Sequence, residues 1–386
     1  MRYYRLGDEK THSLLEISEF DNGSEVKEYH LMLHQTNPEL TFTEQLSGLF
    51  QSYQTFINGQ LQGAKAVFKR YFVSDAANQE KIILDENSRF DEQCVTSVIE
   101  QTPLNRTKVA MWAYLQTNVA IHALVEGLSE IRHNSYSHLW GTAISVDSDV
   151  IDSEYQTLRL FKNYITQLSR YGYNLSDNCI RTWLFVDNID KNYGGVVQAR
   201  NEIFDKEGLT KDTHFIASTG IYGKKADPTF TVQMDTFAVK GLSAGQVQYL
   251  HAPSHLNPTH EYGVSFERGT SVKYGDRRQV FISGTASIDN KGEIVWAGDI
   301  RKQTYRMWEN VEMLLKEADC TFEDLAHLIV YLRDPSDYII IHKLFEEKFP
   351  EIPTIIVHAP VCRPGWLIEM ECIAIKAEIN EEYPTY

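Results

Sequence analysis

A strand-like segment built around a methionine occurs three times in this chain, and it restricts the possible folds more than any other feature. The copies are Thr107–Thr117 (TKVAMWAYLQT), Phe230–Lys240 (FTVQMDTFAVK) and Trp366–Lys376 (WLIEMECIAIK). When the methionines of the three copies are aligned, one face of each strand is apolar or small, as the two-residue period of a strand requires. The distance between copies is that of whole domains rather than of solenoid turns.

The segments around each copy predict a larger repeating unit. Each methionine strand follows another strand that ends in an acid, at Asp75, Asp187 or Asp334, and each acid strand follows a segment of helical period. A second helical segment lies between the two strands, as in Tyr338–Phe349. Each unit is therefore predicted to be β-β-α-β-α-β, an α+β arrangement.

We expect three tandem units to pack as an internal pseudo-trimer, with a central β-barrel and the helices outside. The units are predicted at residues 1–118, 119–245 and 263–380, with a linker at 246–262. The linker contains His251, His255 and His260, but two prolines break any helix there, so we expect no metal site. Because one chain supplies all three units, we expect a monomer or a weak homo-oligomer.

Composition limits the possible partners. A formal net charge of −16 without any Lys/Arg run argues against nucleic acid, because an acidic protein repels phosphate. Five scattered cysteines without a CxxC spacing are typical of a reduced, cytoplasmic protein. No apolar segment is long enough for a membrane span. We therefore expect a cytoplasmic protein that binds a small anionic metabolite, without a membrane or a cofactor.

The third unit carries the strongest candidate site. Glu369 and Glu371 share one face of a predicted strand, and Arg363 lies in a CRPG turn just before it. An arginine beside two carboxylates suits a site that holds an anion and moves a proton, although a surface ion pair would give the same pattern. The second unit keeps an acid, Asp235, but lacks the arginine, and the first unit has Trp112 there. We therefore expect a single pocket, between the third unit and the second.

Further candidates for binding an anionic substrate come from both units. Arg181 and Arg200 are the cations that the second unit could add. Thr219 and Gly220 belong to a predicted loop, ASTGIYG, whose backbone could approach a ligand. Additional candidates are Phe266, Gly284 and Thr285.

The third unit resembles the RidA/YjgF family over nearly its whole length. The matching segments are SFERG, VFISGTASID, the helix near Gln303, IVYLRDPSDY and CRPGWLIEMECIAI. Members of that family form trimers with clefts between subunits, and many hydrolyse enamines or imines. The resemblance implies that Arg363 pairs with a substrate carboxylate. Phe266 is a departure, because it stands where those proteins have a tyrosine that lines the cleft.

Residues 130–377 resemble the chorismatase-like branch of the same fold more closely. The features are RTWLFVDNID with Tyr193 and ARNEIF after it, ASTGIYG, SFERG, SGTASID followed by Gly298-Asp299 and Gln303, and VCR followed by EME. This resemblance implies an enzyme that removes the enolpyruvyl group of chorismate as pyruvate. Enol-ether cleavage begins with protonation of the vinyl methylene carbon, and Glu371 is the expected donor with Glu369 as its partner. The alternatives are a RidA-like enamine or imine deaminase and a non-catalytic small-molecule-binding protein.

Overall fold

Three six-stranded sheets, one per unit, make up the structure, which is a computed structural model describing residues 1–61, 63–90, 93–125, 127–146 and 149–386. The sheets take their strands from residues 2–117, 120–240 and 247–377. The fold is α+β with three tandem RidA-like units, as the repeat predicts. No helix in these described ranges is both long and apolar enough to cross a membrane.

The first unit shows the arrangement that the other two repeat. Its sheet has the strand order β1-β2-β3-β6-β4-β5, in which β6 is antiparallel to both of its neighbours and β4 is parallel to β5. Its elements are β1 Arg2–Asp8, β2 Ser13–Phe20, β3 Glu28–Gln35, α1 Phe42–Gln60, β4 Ala64–Val73, α2 Ala76–Asn87, β5 Val95–Glu100 and β6 Val109–Thr117.

The second and third units have the same strand order. The second contains β7 Ala120–Ala123, β8 Leu128–His133, β9 Tyr136–Ile144, α3 Ser153–Arg170, the short α4 Leu175–Asn178, β10 Cys179–Val186, α5 Ile189–Lys206, β11 Ala217–Tyr222 and β12 Val232–Lys240. The third contains β13 Val247–Leu250, β14 Gly269–Lys273, β15 Arg277–Ala286, α6 Ile300–Glu317, β16 Leu325–Leu332, α7 Tyr338–Lys348, β17 Thr354–His358 and β18 Ile368–Ala377. The methionine strands are thus β6, β12 and β18.

The two faces of each methionine strand have different neighbours. The methionine face lies under the helices: Met111 packs in one core with Leu46 and Leu49 of α1, and Met234 packs in another with Leu160 and Phe161 of α3. Burial of these apolar stripes is the main source of stability for helices of this kind. The opposite faces of the three sheets meet in the centre and form the barrel interior.

Aromatic rings from two units fill part of that interior. The Trp112 ring of the first unit lies 6.3 Å from the Trp183 ring of the second, and Phe68 lies 5.0 Å from Trp140. Such edge and tilted pairs add stability beyond the area that they bury. The packing joins the units, because rings of the first unit contact rings of the second as closely as they contact each other.

Three sequence-based expectations about elements were wrong. Every unit has two more strands than β-β-α-β-α-β, an edge strand at its start and a short strand before the methionine strand. Val247–Leu250, placed in the linker, form β13 and pair with β14 in the third sheet. The predicted ASTGIYG loop is strand β11, paired in parallel with β10, because its small residues fit a buried strand.

Candidate functional site

A cavity of about 240 Å³ lies between the second and third units. The second unit supplies one wall from α5 and β11, and the third supplies the other from β15, β18 and the turn before β18. The segment between β13 and β14 covers the space between these walls. Residues that line the cavity include Tyr193, Arg200, Gly220, Tyr262, Phe266, Arg268, Gly284, Arg363, Trp366 and Glu369.

Hydrogen bonds from a buried glutamine hold the turn that carries Arg363. Gln303 of α6 donates from Nε2 to the carbonyl oxygen of Gly365 at 2.9 Å, and its Oε1 accepts from the Leu367 backbone N–H at 2.9 Å. The Trp366 indole N–H donates to the Ser287 carbonyl at 3.0 Å. These bonds fix the backbone on both sides of the arginine, so its guanidinium has a defined position at the cavity wall.

Three guanidinium groups line the cavity and are held by aromatic rings rather than by carboxylates. The Phe266 ring lies between Arg200 and Arg268, 5.8 and 5.4 Å from their guanidinium carbons. The Tyr262 ring lies between Arg268 and Arg363, at 5.5 and 4.6 Å. In the described part of the chain none of these three arginines forms an ion pair. Three positive charges without a protein counter-charge favour an anionic ligand.

Of the three arginines, Arg200 gives the strongest indication that the cavity binds a ligand. It is 1% exposed, and its Nε and Nη2 have no hydrogen-bond partner among the described residues. Arg268 is also buried, and only its Nη2 is bonded, to the backbone oxygen and side-chain oxygen of Asn257 at 3.0 and 3.1 Å. A buried guanidinium with free N–H groups is costly unless a ligand completes its bonds.

Glu369 is the carboxyl group that reaches the cavity. Burial, and after it the nearby Glu371 carboxylate, raise the pKa of Glu369 to about 8 against the opposing effects of Arg181 and Arg268. The side chain is 4% exposed. It is therefore mostly protonated at neutral pH, and it can donate a proton to a ligand in the cavity.

Glu371, the predicted proton donor, lies behind the cavity wall and does not line it. Its Oε2 accepts from Arg181 Nη2 at 2.8 Å and from the Thr219 hydroxyl, and its Oε1 accepts from the Trp183 indole N–H at 2.7 Å. These three donors occupy both carboxylate oxygens and fix the position of the side chain. The environment therefore does not favour Glu371 as the donor, and Glu369 fits that role instead.

Of the other predicted residues, some line the cavity and some lie behind its wall with Glu371. Arg181 and Thr219 belong to the network around Glu371, where the Thr219 hydroxyl also accepts from the Gly284 backbone N–H at 2.8 Å. Thr285 is buried and donates to the Ser283 carbonyl at 2.9 Å, away from the cavity. Arg200, Gly220, Phe266, Gly284 and Arg363 line the cavity.

Gly284 has a steric role beside Glu369. It lies in a bulge of β15 between Ile282 and Thr285, where the pairing with β18 shifts. A Cβ at this position would meet the Glu369 carboxyl, with its Cδ 2.8 Å away, and the Thr219 methyl at 2.9 Å. Glycine is therefore needed to leave room for the carboxyl.

Sequence analysis missed Arg268 and the aromatic groups Tyr262, Trp366 and Tyr193 as cavity residues. Arg268 could have been found from its spacing, because it follows Phe266 by two residues and so shares its face in extended backbone. Tyr262 was assigned to the linker, where no periodicity indicates a site. Burial raises the pKa of the Cys362 thiol to about 12, so this cavity residue stays neutral and is a poor nucleophile.

The expectation of a single pocket was wrong as stated, because cavities also lie at the other two unit boundaries. One of about 250 Å³ lies between the first and third units, and one of about 800 Å³ lies between the first and second. The strand register puts Ala110 and Gln233 where the third unit has Glu369. Neither residue can donate a carboxylic proton, so the chemistry of the Glu369 cavity is not repeated there.

Comparison with known proteins agrees with this fold. The family described as Endoribonuclease L-PSP matches residues 270–376. A RutC family protein of Pyrococcus abyssi is 39% identical over 100 residues, which are 25% of this chain and 78% of the relative. The chain belongs to the RidA-like superfamily. The 3-aminoacrylate deaminase RutC of Acinetobacter baylyi is 30% identical over 97 residues, which are 25% of this chain and 77% of the relative.

A wider structural similarity extends beyond the third unit. The crystal structure of a chorismatase superposes with a TM-score of 0.61 at 17% sequence identity, covering 80% of this chain and 93% of that one. At this identity the similarity establishes the fold alone. The chain is thus a RidA-like protein with the fold of the chorismatase-like branch.

Proposed function

We propose that this RidA-like protein is an enzyme that removes the enolpyruvyl group of chorismate, or of a related enol ether, as pyruvate. One observation carries the proposal: the buried carboxyl group of Glu369, whose pKa is raised by burial and by Glu371, shares a cavity with three guanidinium groups that pair with no carboxylate among the described residues. Chorismate is a dianion with two carboxylates, so its charge matches this wall.

In this proposal, the arginines and aromatic residues of the cavity bind the substrate, and Glu369 transfers the proton. Arg363 binds one substrate carboxylate, and Arg200 with Arg268 binds the other, while Tyr262, Phe266 and Trp366 enclose the ring between them. Glu369 protonates the vinyl methylene carbon, which leaves an oxocarbenium ion at the ether carbon. Water adds to that carbon, and its proton returns to the Glu369 carboxylate. The hemiketal then collapses to pyruvate and the alcohol.

A second candidate function is RidA-like deamination of an enamine or imine acid. It is favoured by the similarity to a 3-aminoacrylate deaminase and by the position of Arg363, which could hold the carboxylate of either substrate. A small imino acid carries one carboxylate and would leave Arg200 and Arg268 unpaired. The two candidate functions therefore differ in the number of guanidiniums that the substrate uses.

One experiment separates the two. The purified protein is incubated with chorismate while pyruvate is measured, and in parallel with a freshly generated imino acid while ammonia is measured. Pyruvate release that Glu369→Gln abolishes supports the enol-ether reaction. Ammonia from the imino acid, formed faster than by spontaneous hydrolysis, without pyruvate from chorismate would support the deaminase instead. If neither substrate reacts but carboxylates still bind, the protein is a binding protein.

A further inference from the structure

Arg70, from the first unit, lies in the centre of the barrel and is fully buried. Its Nε and Nη2 donate to Oδ2 of Asp235, in the second unit, at 3.1 and 2.8 Å. Aromatic rings surround its guanidinium, with Trp183 at 4.9 Å and Phe185 at 4.8 Å. The ion pair and the rings together fix the position of this charge.

The third nitrogen of Arg70 faces the third unit. Nη1 lies 4.0 Å from Oε1 of Glu371 and has no hydrogen-bond partner among the described residues. Strand pairing places Asp235 and Glu371 at equivalent positions, opposite Trp183 on β10 and Ile329 on β16. One residue from each unit therefore meets here: an arginine from the first and an acid from each of the others.

These charges form a balanced set. The two carboxylates, Asp235 and Glu371, face two guanidiniums, Arg70 and Arg181, in a region from which water is excluded. Opposite charges in such a region interact strongly, so the loss of one charge is felt by its neighbours. The nearest other carboxyl group on β18 is Glu369, two residues before Glu371 on the same strand face.

We propose that Arg70 is a positioning residue for the candidate site: from the first unit, it offsets the negative charge that Glu371 presents to Glu369, and so limits how tightly Glu369 holds its proton. This inference rests on the proposed role of Glu369 as the acid. It gives the first unit, which has Ala110 where the third unit has Glu369, a part in the chemistry. Arg70 itself does not touch the substrate.

Other groups also act on this pair of glutamates and must stay constant in any test. Those that interact with Glu369 come from β10, β16, α5 and the segments before β14 and β18: Arg181, Tyr331, Tyr193, Arg268 and Cys362. Those that interact with Glu371, besides Arg70, are Arg181, Trp183, Thr219, Tyr331 and Cys372. None of these is altered in the variants below.

The test compares two variants that differ only at position 70, where one has the charged arginine and the other a neutral glutamine. Asp235→Asn leaves the arginine charged but without its partner, so its full charge acts on Glu371. Asp235→Asn/Arg70→Gln removes both charges and leaves no buried ion unpaired, which protects the fold. Titration of Glu369 in the free protein is followed by infrared spectroscopy with ¹³C-labelled glutamate, and Glu369→Gln identifies the band. Circular dichroism checks that each variant is folded.

We expect Glu369 to titrate about one pH unit lower in Asp235→Asn than in the double variant. Identical titration in the two variants would overturn the role of Arg70. If the double variant does not fold, the titration of Glu369 in Asp235→Asn is compared with that in the wild type. An unchanged titration in this comparison also contradicts the proposal. The readout does not depend on turnover. If the Glu369 titration shifts but the protein releases no pyruvate, the proposed reaction is refuted, whereas the effect of Arg70 on Glu369 is confirmed.

Discussion

At the scale of single residues, the two glutamates of β18 have different surroundings although they share one strand face. Glu369 opens into the cavity and keeps its proton, and Glu371 is bonded to Arg181, Trp183 and Thr219. Glu369→Gln keeps the shape of the side chain but cannot deliver a proton, so kcat should fall by about 10²–10⁴ with little change in KM. Steady-state kinetics with pyruvate detection measures this. Wild-type turnover in the variant would exclude Glu369 as the acid.

The pH dependence follows from the same carboxyl group. The active form of Glu369 is the protonated one, and its pKa is raised to about 8. We therefore expect kcat to be maintained below that pH and to fall as the pH rises through it. Glu371→Gln removes the neighbouring negative charge, which should move this fall to lower pH. A pH–rate profile of both proteins is the measurement, and an unchanged profile in Glu371→Gln would contradict the assignment.

Arg363 is expected to act in binding rather than in proton transfer. Arg363→Ala removes a charge-assisted contact to a substrate carboxylate and should cost about 2–4 kcal/mol of binding. The loss should appear mainly in KM, because the carboxylate is held in the ground state and the transition state alike. Arg363→Lys should restore only part of it, since an ammonium lacks the planar fork. Arg301→Ala, an exposed arginine on α6, is the control.

The sequence indicated the strand and the turn, and it predicted Glu371 as the donor with Glu369 as its partner, whereas we propose Glu369 as the donor. Alternation along β18 places both glutamates on one face, and it contains no information about what other units bring to that face. The difference between Glu369 and Glu371 comes from Arg181 and Trp183, which lie in another unit. Arg268 was missed although its spacing from Phe266 places both on one face of extended backbone; its contact with the Tyr262 ring depends on how this segment folds.

At the scale of elements, the site depends on a bulge and a turn. In the bulge of β15, a methyl group at Gly284 would lie 2.8 Å from Cδ of Glu369 and 2.9 Å from the Thr219 methyl, so it would displace the Glu369 carboxyl. Gly284→Ala should therefore lower kcat strongly and leave the melting temperature nearly unchanged. Calorimetry and kinetics on the same sample test this. If the variant instead loses much stability but keeps a normal kcat per folded molecule, the glycine is needed for the backbone conformation of the bulge and not for the position of Glu369.

Periodicity identified the long elements and missed the short ones. The amphipathic stripe of α6 and the methionine strands were recognised because a buried face repeats over several turns or residues. The edge strands β7 and β13 have four residues each, too few for a pattern to emerge. Their place in the sheet is set by pairing with β8 and β14, a tertiary contact that local composition does not contain.

At the scale of the whole molecule, the three units complete a barrel without another chain. We predict that the protein sediments as a single chain of 386 residues and binds one dicarboxylate per chain at the Glu369 cavity. Analytical ultracentrifugation and calorimetric titration provide both numbers. An obligate trimer of full chains, or three equal ligand sites per chain, would contradict the assignment of one functional cavity to one chain.

The contact between Arg70, Asp235 and Glu371 also has a consequence for how a protein of three tandem units can evolve. In a ring of identical chains, one codon change alters three side chains at once, and an arginine at the centre would face two copies of itself. A gene that encodes the units in tandem can alter each copy alone, so one arginine and two different acids can meet there. The third unit has Ile329 opposite Glu371 and His327 opposite Ile373. Cut out and assembled with itself, the third unit would bury three copies of Glu371 without Arg70 or Arg181, so we expect that it does not form a stable trimer.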